Sequence, residues 1–274
     1  MMNSKLKHYA ISAAVVAAFT CSSVASALTL TNADGNHNTW GGFDWASNGT
    51  AVVDGFNSGA LTGLTTTFDL TYYAKASNVL DINGLNIPML GIFLDTYEYT
   101  IEAKINETGT CTADNGVICT ASTFAVNSGT FSIWYDTTPD VNMVTGAGIT
   151  DGIEIITGSI LAQPGGGFDI LNGGLATLQA VITNTNNTYI NPDLATSTAT
   201  TSLQLGASQT GWVTPNPSMP DVGGGTQLLP AGHIALQADG NQNFIASTVP
   251  EPGSLALLGL GLTGLSLVRR RKKA

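Results

Sequence analysis

Between Leu28 and Val249 the side chains suited to covalent or metal chemistry are few: Cys111 and Cys119, His37 and His233, and a scatter of carboxylates. Cys111 and Cys119 are separated by Thr-Ala-Asp-Asn-Gly-Val-Ile, with no further Cys or His close by. Zinc needs four ligands, so a metal pair is a poor reading. In an exported chain, which the N-terminus argues for below, a disulfide is expected. If Asp114-Asn115-Gly116 forms a three-residue hairpin loop with Gly116 left-handed, counting outward sets Ala113 against Val117 and Cys111 against Cys119. A loop this short stabilises by only about 2–3 kcal/mol, so the bond pins one hairpin and not the domain.

The sequence contains no G-x-S-x-G elbow, H-E-x-x-H helix or phosphate-binding loop, and nothing nominates a serine for His37 or His233. No enzyme is expected. The carboxylates leave a glycosidase acid–base pair as the chief enzymatic rival, but Asp and Glu stand singly, where solvation explains them. Two pentads alternate oxygen side chains: Asp34-Gly-Asn36-His-Asn38 and Asp239-Gly-Asn241-Gln-Asn243. Such alternation in a tight loop converges on a hard cation such as calcium, the one cofactor worth testing. Counted from Asp239, however, Phe244 and Pro250 replace the Gly and Glu of an EF-hand loop. D-G-N is also good turn chemistry, which is the first reading here. Asp136, Asp140, Asn142 and Asp151 form a third group open to the same two readings.

These residues must be positioned by strands. Tyr97-Glu-Tyr99-Thr-Ile101-Glu-Ala103-Lys-Ile105-Asn alternates apolar and polar side chains, the pattern of a half-buried strand. Phe68/Leu70/Tyr72, Phe131/Ile133/Tyr135, Leu178/Ala180/Ile182 and Leu203/Leu205 repeat it, and Gly, Asn and Asp punctuate the intervals as turn residues. Helical periodicity is absent from this span. The expected fold is all-β: a single antiparallel β-sandwich, jelly-roll-like, of about a dozen strands. Pro215 to Pro220 and Gly223-Gly224-Gly225 mark a long loop, with strands resuming near His233.

The ends read differently. Residues 1–27 carry Lys5 and Lys7, an apolar run from Tyr9 to Phe19, then Ala25-Ser26-Ala27. Ala25 and Ala27 suit the −3 and −1 positions of signal peptidase, so a signal peptide cut after Ala27 is expected. The apolar run falls short of the roughly 20 residues that cross ~30 Å of hydrocarbon. Residues 249–274, "VPEPGSLALLGLGLTGLSLVRRRKKA", place 16 uncharged residues from Gly253 to Val268 before five basic ones. Snorkelling by the basic side chains makes a marginal membrane helix reasonable, with the basic end cytoplasmic. The G-x-G-x-x-G at Gly259 to Gly264 has no strand before it and no room for a β-α-β unit, so it is not a dinucleotide motif.

Pro250-Glu251-Pro252, the apolar stretch from Leu255 to Val268, and Arg269-Arg270-Arg271 closely resemble the PEP-CTERM sorting tail of exopolysaccharide-producing Gram-negative bacteria. The resemblance implies an exported protein held transiently at the inner membrane until an exosortase removes the tail near Pro-Glu-Pro. A permanent tail anchor is the alternative. The expected organisation is thus a signal peptide (1–27), a β-sandwich ectodomain (28–248) and a sorting tail (249–274).

Residues 28–248 hold 18 acidic residues against Lys75 and Lys104, a formal charge of −16. A polyanion is a poor partner for nucleic acid, which requires clustered Lys and Arg. The stretches "LTTTFDLTYYAKASNVL" from Leu64 and "GTFSIWYDTTPDVNMVTGAGITDGIEIITGSI" from Gly129 resemble the flocculation-associated branch of PEP-CTERM proteins. That resemblance implies a surface or extracellular-matrix protein associated with exopolysaccharide, aggregation or flocculation. The alternatives are a secreted carbohydrate-active enzyme or a calcium-dependent glycan-binding module.

Overall fold

The structure is a computed structural model, and the residues it describes are 28–57, 59–89, 93–143, 146–206, 218–220, 226–228 and 233–245. The expected signal peptide, including Ala25 and Ala27, and the whole segment from Pro250 to Lys273 lie outside them.

All regular structure among these residues is β. The strands are β1 (Thr29–Asn32), β2 (Gly35–His37), β3 (Trp40–Asp54), β4 (Thr65–Asp81), β5 (Glu98–Asp114), β6 (Cys119–Asp136) and β7 (Ile153–Ile160). They continue with β8 (Gln163–Asp169), β9 (Gly173–Thr185), β10 (Ile190–Asn191), β11 (Thr198–Leu205), β12 (Ser218–Pro220), β13 (Thr226–Leu228) and β14 (His233–Ile245). Nine of them form one antiparallel sheet in the order β11-β14-β3-β4-β5-β6-β7-β9-β8, and β11 also pairs with β9. The sheet therefore closes on itself. β8 continues the lane of β7, pairing with β6 on one side and β9 on the other. Eight lanes circle the core, each joined to its neighbour in chain order apart from the closing β14–β3 contact.

The all-β, antiparallel expectation holds, and facing halves of this sheet make the sandwich-like layers. Closure satisfies the backbone donors and acceptors that an open sheet leaves along its edges. It also explains the one-sided alternation: odd-numbered Tyr99, Ile101, Ala103 and Ile105 of β5 are buried in the interior. Gly158 has an interior role as well, because a Cβ there would run into the Phe131 ring. β12 and β13 pair as a short ribbon within the stretch expected to be loop.

The β5–β6 hairpin carries the expected disulfide, Cys111–Cys119, with Cα atoms 5.8 Å apart. Its register differs from the count made above. Asp114 pairs with Cys119 and Cys111 with Ser122, with irregularities on either side of Ala113. Asn115 Oδ1 accepts the N–H groups of Val117 and Ile118 at 3.0 and 2.9 Å, widening the loop to Asn115–Ile118. Gly116 is left-handed as expected, at φ +84°.

Candidate functional site

One end of the closed sheet is plugged. The β1–β2 hairpin lies over Tyr97, Tyr99 and Tyr135, whose rings pack at centroid distances of 5.3–5.9 Å. Tyr97 donates to Asp34 Oδ2 at 2.6 Å, Asn32 donates to the Tyr99 hydroxyl at 3.0 Å, and the Ala33 N–H donates to the Tyr135 hydroxyl at 3.1 Å. Burial, then the bond to Asp34, holds the Tyr97 hydroxyl above its usual range.

The first pentad is thereby divided. Asp34 turns to the tyrosines, whereas Asn36 and Asn38 accept from Thr31 and Thr29 across the hairpin, at 2.9 and 3.2 Å. The second pentad is laid along β14: Asp239, Asn241 and Asn243 point to one face, and alternate residues of a strand stand about 7 Å apart. Neither arrangement gathers three oxygens at one point. Asp239 lies at the irregularity between Ala238 and Gly240, where burial and then Asp44 raise its carboxyl above the usual range.

The third group is partly assembled. Asp136 and Asp140 each bring a carboxylate oxygen within 4.8 Å of Glu98 and of one another. Glu98 is fully buried on the outer side of β5, beneath the segment 137–152 that joins β6 to β7. Its Oε1 accepts the N–H groups of Asp140 and Val141, both at 3.0 Å, and its Oε2 lies 3.4 Å from Lys75 Nζ. Thr100 donates to the Ile149 carbonyl at 2.5 Å, and Ile149 packs on Val52 and Tyr73. Glu98 is committed to holding this segment on the sheet.

The outer faces of β4, β5 and β6 carry a ladder of amides and hydroxyls. Asn106 donates to Asp69 at 2.7 Å, and Asn127 donates to Asn106 Oδ1 at 2.9 Å and to Thr108 at 3.0 Å. A groove of about 430 Å³ beside it is lined by Asp69, Lys104, Asn106, Ser128 and Thr130. A second, of about 540 Å³, is lined by Thr108, Thr110, Thr123 and Thr177 around Pro164 and Gly166.

The other end of the closed sheet, away from the tyrosines, encloses a cavity of about 290 Å³. Phe56, Phe68 and Phe124 form one wall, their rings edge-to-face at 5.5–6.5 Å. Leu70, Leu205 and Leu236 line it further, and the disulfide hairpin contributes Ile118 and Cys119. Among the described residues a single carboxyl, Glu107, lines the same space, and it is 3% exposed. Burial alone pushes it up to about 7. Explaining the singly placed carboxylates by solvation misses this one. The signal was there: Glu107 continues the odd-numbered series Tyr99, Ile101, Ala103, Ile105, which already points inward.

Among known proteins, no curated sequence and no solved structure is significantly similar to this chain. One family does match, the PEP-CTERM protein-sorting motif, over residues 248–272. That span takes in Pro250, Glu251, Pro252 and Arg269, Arg270 and Arg271. The chain carries a PEP-CTERM protein-sorting motif, which implies an exported protein processed by an exosortase.

Proposed function

We propose that the mature protein is a non-enzymatic component of the cell surface or extracellular matrix that associates with exopolysaccharide and promotes aggregation of the producing cells. The observation that carries this reading is the sorting motif at 248–272 joined to a domain of formal charge −16. The motif supplies the route outward, and the charge turns the domain away from nucleic acid and anionic headgroups. The ladder of Asp69, Asn106, Asn127 and Thr108 supports a polar, hydroxyl-rich partner, because side-chain amides offer donors and acceptors together. The exposed large hydrophobic side chains among the described residues are aliphatic, which favours broad polar contact over ring stacking on a sugar.

Co-sedimentation tests this. Protein recovered from the culture should pellet with the strain's own polysaccharide, and Asn106→Ala together with Asn127→Ala should weaken that association several-fold. The polymer's size should not change. Shortening of the polymer by the protein would replace this reading with a glycosidase.

A further inference from the structure

Glu107 poses a charge problem that the protein does not solve internally. Its carboxyl is buried, and no hydrogen bond or charge offsets that burial. Among the described residues no other titratable side chain lines the cavity: Phe68 and Leu70 face it from β4, Phe124 from β6, Phe168 from β8, Leu205 from β11 and Leu236 from β14. Residues 28–248 contain only two lysines and no arginine, and both lysines are engaged elsewhere. Lys75 lies 3.4 Å from Glu98 and Lys104 lies 2.8 Å from Glu102.

A buried carboxylate is costly unless a cation or donors accompany it. Among the described residues no cationic side chain reaches Glu107, which leaves room for a cation from outside. The surrounding walls select the rest of the partner. Phenyl groups attract cations through their ring faces, and an apolar wall gains by covering hydrocarbon. The volume, about 290 Å³, sits at the lower end of the ~300–1,000 Å³ typical of small-molecule pockets. Gly109 lets the three phenyl groups meet, since a Cβ there would fall 3.1 Å from both Phe56 and Phe68.

We infer that this cavity is a binding site for a small organic cation, an amine on an apolar body, with Glu107 as the counter-charge and the Phe56–Phe68–Phe124 wall as the apolar seat. This site is independent of the exopolysaccharide reading.

On binding, the ammonium keeps its proton and Glu107 gives one up to solvent wherever it was protonated beforehand. Octylamine is the probe, with 1-octanol and octanoate as matched controls, titrated calorimetrically into detergent-free protein recovered from the culture. Octylamine should bind one to one, roughly tenfold or more tighter than 1-octanol, as a charge-assisted contact predicts. Octanoate should bind worst. Glu107→Gln should remove the preference for the amine while leaving the weak binding of 1-octanol. Repeating the wild-type titration in buffers of different ionisation enthalpy gives a second readout that needs no variant. It should show about one proton released near pH 5.5 and almost none above pH 8, following the group's ionisation. Absence of saturable octylamine binding, equal affinity for 1-octanol, or no proton release at pH 5.5 would each overturn the assignment.

Discussion

At the scale of single residues, Glu107 is a carboxyl that burial alone holds back from ionisation. Its carboxyl titrates at about 7 in the folded chain against 4.5 in an open one, so between those pH values the folded state holds a proton that the unfolded state has lost. Stability must fall as pH rises through that window and level off above it. The contribution of this one group is on the order of 3 kcal/mol. Urea unfolding at pH 5 and pH 8 should show that decline in the wild type, and Glu107→Gln should remove about that much of it. An identical pH dependence in the two proteins would mean that the carboxyl is solvated. Glu98 is also buried, but there Lys75 and two backbone amides answer the carboxylate. Its parity gave no warning. It lies on the outer side of β5 and is buried by a segment that crosses from 40 residues away, a long-range contact that no local period records.

At the scale of elements, the strands were legible and their closure was not. Alternation along Tyr97 to Ile105 identifies a half-buried strand and its inward face, since a period of two follows from the pleat itself. Closure depends on the contact of β14 with β3, between residues far apart in sequence. The disulfide was legible in its partners but not in its register, because Asn115 widened the turn through two side-chain bonds. Replacing Cys111 and Cys119 with Ala together should cost about 2–3 kcal/mol in urea unfolding without changing the slope, while alkylation of the unreduced native protein should add no mass. The 137–152 segment gives a second check. Glu98→Ala should strand Lys75 and free two amides, costing about 3 kcal/mol and speeding proteolysis within that segment. Glu102→Ala, which breaks the more exposed pair with Lys104, should cost less than about 1 kcal/mol and leave the segment protected.

At the scale of the whole molecule, the route outward was legible because Pro-Glu-Pro, an apolar stretch and a basic cluster form a local, ordered signal that no folding can disguise. The work done after export was less legible, since association spreads over a surface of Thr, Asn and Asp that no motif marks. The pentads illustrate why: turn chemistry, the first reading of both, holds at the β1–β2 hairpin, where Asp34 reaches Tyr97, whereas Asp239, Asn241 and Asn243 lie along the strand β14. A domain of charge −16 also repels its own copies, so divalent cations that screen or bridge carboxylates should strengthen aggregation. The decisive measurement is the settling of a deletion strain with and without added exported protein, in calcium and after chelation. The deletion strain should grow dispersed with polysaccharide synthesis intact, and added protein should restore settling in calcium but not after chelation. Unchanged settling of the deletion strain would contradict the account.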